Sequence, residues 1–207
     1  QPTGKGFEIS EEEAIKWIKI EPKNEQVIKP FSMGKNLSTN ILCKPDRWII
    51  DFNDMALEKA EEFELPFKQV IEKVKPFRLS KPNKELHKRW WTFHRYRPLM
   101  REAIKKLDFY IGVPRVSKWC IFVPIQKDWL PGEKNVVVAS DDFFTLGILN
   151  SSVHRAWVES QKATIKADTA YTHETCFQTF PFPQTKNKND LNSIRSAMKE
   201  LSTFRNQ

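Results

Sequence analysis

Leu191, Ile194, Met198 and Leu201 recur every three or four residues near the C-terminus, the single apolar stripe of an amphipathic helix. At the other end Ser10-Glu11-Glu12-Glu13 reads as a capping box opening a helix to about Ile20. Arg47 to Phe52 (RWIIDF) is a short apolar run rich in strand formers. Asn53 or Asp54 is then the expected N-cap of a helix through Phe63, and Pro66 the start of another to about Lys75. Two further helices are expected across Asn83 to Trp91 and from Pro98 through Met100, Ala103, Ile104 and Leu107. Three β-like runs follow, Phe109 to Val113, Trp119 to Ile125 and Asn135 to Ala139. Asp142 to Ser160 returns to a helical period, with a second N-cap offered at Asn150-Ser151-Ser152. Helical and strand patterns interleave without the strict βαβ spacing of a doubly wound sheet.

Composition narrows the class. Apolar residues make up 40% of the 207 and charged residues 29%, ordinary globular usage. No run approaches the ~18 apolar residues of a membrane-spanning helix, and the N-terminus lacks a signal-peptide layout; a soluble intracellular protein is the expectation. Cys43, Cys120 and Cys176 are too few and too dispersed for a disulfide framework or a CxxC metal knuckle. The chain begins at Gln1 without a methionine, and a fragment of a longer protein is the expectation.

Charge changes the picture most. Between Lys81 and Lys118, eleven Lys or Arg stand against three acids, a surplus equal to the whole net charge of +8. Such concentration is the footprint of a phosphate-binding surface, although a single basic run is as often a solvated helix face. Trp90, Trp91, Phe93 and Tyr96 interleave with Lys88, Arg89, His94, Arg95, Arg97 and Arg101. That mixture suits a groove holding phosphates and stacking on bases. The two tryptophans are better read as core anchors, since adjacent helical side chains diverge by about 100°. The arginines remain the candidates for nucleic-acid contacts.

Motifs for catalysis are wanting. With six glycines there is no GxGxxG and no GxxxxGK[ST], and Gly4-Lys5-Gly6 lacks phosphate-loop spacing. His87, His94, His154 and His173 stand apart, without HExxH or HxE…CxxC, and no GxSxG is present. Asp141-Asp142 and Asp51/Asp54 are read as caps and strand ends. The run FQTFPFP, Phe177 to Pro183, cannot continue a helix, so it is either a structural stop or a docking surface.

The ordered segments GKGF…SEEEA, PKNEQVIKPF.MG, DRWIIDFNDM, KRWWTFHRYRPLMREAI, YIGVPRVSKWCIFVPI, FFTLGILNSSVHRAWV and YTHETCFQTFPFP resemble the target recognition region of type IIG/IIL restriction-modification enzymes, the MmeI-like group. Members join an endonuclease, an adenine-N6 DNA methyltransferase and a specificity domain in one chain. The resemblance spans residues 1 to about 185. It implies an α+β fold, a mixed or antiparallel curved sheet with packed helices, as the target recognition domain over 1–185. Residues 186–207 become a linker and C-terminal helix leading into the next region of the parent. It also accounts for the missing chemistry. The S-adenosylmethionine loop and [N/D]PP[Y/F] motif of the group lie in a methyltransferase domain upstream, and no two prolines are adjacent here.

The implied function is sequence-specific double-stranded DNA binding without catalysis by this chain. The implied partners are duplex DNA and the methyltransferase domain of the same parent chain, with no membrane. No cofactor is expected here, S-adenosylmethionine and, if a nuclease is present, Mg2+ belonging to the parent. The resemblance places Arg115, Ser117, Lys118 and Cys120, around Trp119, near base edges. Trp119 and Cys120 stand where relatives commonly have polar or basic residues, which leaves the base preference open. Phosphate contacts are expected from Lys84, Lys88, Arg89, Arg95, Arg97 and Arg101. Lys162, Lys166 and Tyr171 join them from a polar loop between Gln161 and His173. Phe143, Phe144, Leu146, Ile148, Leu149 and Trp157 are expected core, with His154 a buried hydrogen-bonding histidine. Phe177, Phe180 and Phe182 are expected to pack while Pro181 and Pro183 end a strand. The rival is a protein-interaction module whose basic face meets an acidic partner, with Trp129, Trp157 and the Phe/Pro run as an exposed patch.

Overall fold

A computed structural model describes residues 5–161, 163–165 and 168–205. The chain forms two compact units. The first comprises Gln1–Phe31, Pro45–Pro98 and Asp128–Leu130; the second comprises Ser32–Lys44, Leu99–Lys127 and Pro131–Gln207.

In the first unit the capping box forms as expected. The Ser10 hydroxyl accepts the Glu13 N–H at 3.2 Å, and the Glu13 carboxylate accepts the Ser10 N–H at 3.0 Å. These bonds hold the Glu13 carboxyl below its ordinary range and open the helix Glu11–Ile20. The strand Glu8–Ile9 pairs antiparallel with Trp48–Ile50, which pairs antiparallel with Ile28–Ser32. Ile9, Ile28, Ile49 and Ile50 from these strands are buried. Asn53 does not cap a helix. It turns the chain in the left-handed region (φ 52) with its N–H donated to the Asp51 carboxylate, and the next helix begins only at Leu57. Pro66 lies in the first turn of Glu64–Lys73, where no intrahelical donor is needed. Gly6 packs against the end of that helix: a Cβ there would lie 2.7 Å from Val74 Cγ2 and 2.9 Å from the Lys73 backbone. Close packing, not phosphate binding, explains that glycine.

In the second unit Phe109–Pro114 is central, antiparallel to both Val123–Gln126 (Tyr110 opposite Ile125) and Asn135–Val138 (Ile111 opposite Val138). A second small antiparallel sheet sets Val116–Ser117 beside Asp168–Ala170, and that strand beside Ala163–Ile165. Ile111, Val113, Phe122, Leu146, Leu149, Val158 and Tyr171 belong to one buried cluster. Asp142 caps the helix Phe143–Leu149 by accepting the Phe144 N–H at 2.9 Å, and Ser151 accepts the His154 N–H at 3.2 Å at the start of Ser152–Gln161. The helix Lys188–Arg205 packs on Phe143–Leu149, with Ile194 and Met198 against Gly147. The Arg195 guanidinium grips the Asp142 carboxylate through two bonds of 2.8 Å.

The Phe/Pro run ends no strand. It follows a helical turn, His173–Phe177, whose Thr172 hydroxyl accepts the Thr175 N–H. The rings do pack: Phe180 lies 4.7 Å from the His154 ring and 5.0 Å from Phe182, which is 5.3 Å from Phe177. Trp157 stacks edge-on with Phe180 at 6.1 Å. Trp157 and the rings of the Phe/Pro run, which an interaction module would need exposed, are buried or half-buried against one another.

Candidate nucleic-acid interface

The basic segment divides at Pro98, so its candidates fall in both units. In the first unit the expected helix over Asn83 to Trp91 shrinks to Glu85–Lys88. Beyond its end the chain is held by Arg78, a residue the sequence patterns did not single out. Its buried guanidinium donates to the carbonyls of Arg89 and Thr92 and lies 5.2 Å over the Phe7 ring. Burial pulls the Arg78 pKa down to about 10, which keeps it a cation at neutral pH. Trp90 and Trp91 are buried as expected, in edge-on contact at 5.9 Å.

The exposed cations here are not equivalent. Lys88 pairs with Glu85 at 2.7 Å. Arg89 donates to the Met55 carbonyl at 3.2 Å, the same oxygen that accepts Trp91 Nε1 at 2.9 Å. Both contribute to local structure before any ligand arrives. Lys84, Arg95 and Arg97 are exposed, with no side-chain partner among the described residues. Arg97 turns into the left-handed region (φ 55) where Pro98 begins a helix.

In the second unit the expected base-reading residues lie on one backbone-locked loop. The Arg115 N–H donates to the Lys134 carbonyl at 2.7 Å, and its own carbonyl accepts the Tyr171 N–H at 2.8 Å, so the exposed guanidinium springs from a fixed backbone. Val116 and Ser117 pair with Ala170 and Thr169. The expected strand over Trp119 to Ile125 then starts only at Val123. Between lies a tight turn in which the Ser117 hydroxyl accepts the Cys120 N–H at 3.2 Å and Cys120 adopts φ 47. Lys118 projects from this turn with its ammonium 4.8 Å from the Trp119 ring centre. Trp119 is 58% exposed, whereas Cys120 is half-buried against the core. Arg115 and Lys118 thus face solvent, Ser117 serves the turn, and Cys120 points largely inward.

Asn150, read from sequence as a cap, holds the far end of this loop. Its amide accepts the Phe122 N–H at 3.0 Å and donates to the Phe122 carbonyl at 2.9 Å. A cavity of about 160 Å³ lies behind the loop, lined by Lys118, Trp119, Cys120, His154 and Arg155 among others. Arg155, exposed on Ser152–Gln161, is a cation the sequence reading passed over.

Tyr171 requires correction. It was expected to touch phosphate from a loop, but Asp168–Ala170 is a strand and Tyr171 is fully buried in the core. Its hydroxyl meets His154 Nε2 at 3.3 Å. His154 Nδ1 lies 2.8 Å from the Leu149 carbonyl and must donate to it, leaving Nε2 to accept from the tyrosine. Burial pushes the Tyr171 hydroxyl pKa up and holds the His154 imidazole below its ordinary value, against the carbonyls of Leu149 and Cys176. Lys162 and Lys166 lie outside the described residues.

A family model described as MmeI, target recognition domain, matches residues 2–184. The chain belongs to this family. The target recognition domain is 31% identical over 113 residues to DNA methyltransferase A of Bacillus subtilis (strain 168), covering 52% of this chain and 12% of that protein. Its fold matches that of the type IIL restriction-modification enzyme MmeI, solved in complex with DNA, with a TM-score of 0.76 and 18% identity over 97% of this chain and 26% of that one. The chain therefore spans 12% and 26% of the lengths of these two proteins. Within the domain, the resemblance singled out Arg115, Ser117, Lys118 and Cys120 beside an expected strand, and the structure carries them on one loop braced by Asn150, whose role no local pattern showed. No helix among the described residues is long and apolar enough to cross a membrane.

Proposed function

We propose that this chain binds duplex DNA in a sequence-specific manner as the target recognition part of a restriction-modification enzyme. In this reading an adenine-N6 methyltransferase domain of the same polypeptide performs the chemistry, and DNA binding positions the adenine for flipping out of the duplex. The chain supplies no catalytic group. S-adenosylmethionine, and Mg2+ where a nuclease is present, are held elsewhere in the parent.

The observation that carries the reading is the Arg115 to Cys120 loop. Its two exposed cations rise from a backbone fixed on both sides, so little ordering entropy is lost when they meet base edges. A good bidentate arginine contact discriminates bases by ~1–3 kcal/mol. Lys84, Arg95, Arg97 and Arg101 are assigned to phosphates, where they contribute affinity and salt dependence without sequence information.

The test is charge reversal of Arg95, Arg97 and Arg101 to Glu, with duplex binding and urea unfolding measured on the same preparations. Loss of binding with an unchanged unfolding curve supports the assignment. Unaltered DNA affinity contradicts it.

A further inference from the structure

We infer that Lys118 and Trp119 together read one thymine, and so place an A·T pair in the recognition sequence; this rests on the DNA-binding role proposed above. The tip of the loop is unusually apolar for an exposed basic surface. Trp119 is 58% exposed, and Val116 and Ile121 beside it are 37% and 49% exposed. Nothing local requires a tryptophan there, since Ser117 and Asn150 hold the loop through backbone groups of Cys120 and Phe122.

Chemistry selects the base. The indole offers an apolar surface and one N–H donor with no acceptor, and a lysine ammonium offers donors only. The ammonium stands 4.8 Å from the indole ring centre, so a donor and an apolar surface are presented side by side. In the major groove thymine alone carries an apolar group, its C5-methyl, next to an acceptor, O4. Guanine presents two acceptors and no methyl, cytosine an amino donor, and adenine an amino donor beside its N7 acceptor with no methyl, so none of the three offers an apolar group next to an acceptor. Lys118 donates to O4 and Trp119 covers the methyl. A stacking or wedge role for Trp119 fits less well, because the Lys118 ammonium already occupies one face of the ring.

The experiment selects bound duplexes from a randomised library with the 207-residue chain and with its Trp119→Ala variant, urea unfolding verifying that both are folded. The wild type is expected to enrich thymine at one position where the variant, which keeps the Lys118 donor but loses the apolar cover, no longer favours thymine over guanine. Replacing that thymine by deoxyuridine keeps O4 and removes the methyl. Wild-type affinity should then fall about fourfold, the value of one buried methyl group, while the variant binds both duplexes equally. Equal wild-type affinity for the two duplexes, or discrimination retained by the variant, overturns the assignment. A variant that loses the same affinity for both identifies a wedge and likewise overturns it. Enrichment without thymine preference overturns this inference alone. Failure of the wild type to enrich any duplex overturns the DNA-binding role with it.

Discussion

Asn150 stands in for a missing β-strand at Phe122. Its side-chain oxygen accepts the Phe122 N–H and its nitrogen donates to the Phe122 carbonyl, at 3.0 and 2.9 Å, with a further bond of 3.0 Å to the Leu146 carbonyl. One amide thus ties the exit of the Arg115 to Cys120 loop to the helix pair beneath it. Asn150→Ala leaves these backbone groups without their partner, and a destabilisation of ~2 kcal/mol is expected in urea unfolding. DNA affinity should fall with it, although Asn150 itself touches no DNA in this account. Asn150→Asp, which keeps the acceptor but sets a carboxylate oxygen against the Phe122 and Leu146 carbonyls, should destabilise at least as much as Asn150→Ala at neutral pH.

Gly147 sets how closely the terminal helix approaches. A Cβ at that position would lie 2.7 Å from Ile194 Cγ2, a methyl on a stiff β-branched side chain. Helix propensity favours Gly147→Ala by ~1 kcal/mol, but overpacking of this kind costs ~1–3 kcal/mol. The expected net effect is destabilisation, partly relieved in Gly147→Ala/Ile194→Ala. Thermal unfolding of the single and double variants checks this.

His154 makes stability depend on pH. Its folded pKa is depressed below the ordinary 6.5, chiefly by burial, so the unfolded chain binds the proton more readily. The contribution is therefore fully present above pH 6.5 and is lost as pH falls from there towards the folded pKa. Urea midpoints between pH 7.5 and 5 should fall more for the wild type than for His154→Gln, which has no titrating group at this position.

Arg78 should be sensitive to the conservative change. A lysine has one ammonium and cannot span the Arg89 and Thr92 carbonyls as a guanidinium does. Arg78→Lys is expected to destabilise the first unit by ~1–3 kcal/mol. Faster amide hydrogen exchange across residues 89–93 would locate the effect.

Local signals carried much of the fold. The Ser10 to Glu13 box, the strand at Trp48–Ile50, the helix from Pro98 and the central strand from Phe109 each follow from residues within a few positions of one another. The misses share a cause in long-range bonds or in backbone geometry uncommon for the residue type. Cys120 occupies the left-handed region without being a glycine, so nothing in its type announced the turn. Asn150 looked like a cap because the strand end it completes lies 28 residues away. Arg78 holds carbonyls 11 and 14 residues further along the chain, which no local pattern announces. Tyr171 looked like part of a polar loop because its neighbours are polar, yet strand pairing at Ala170 turns it inward onto His154. At the candidate site the charges of Arg115 and Lys118 were legible, while the turn that carries them and the division between outward and inward side chains were not.

The most direct test of the central claim is a fluorescence-anisotropy titration of duplex DNA with the chain at rising salt. Exposed cations contacting phosphates predict a log-log slope of about −3 or steeper, each contact contributing ~−0.9. Arg97→Ala should flatten that slope by about one contact, whereas Arg115→Ala should weaken binding to preferred duplexes more than to random ones. An affinity indifferent to salt, or no duplex binding at low salt, would contradict the account.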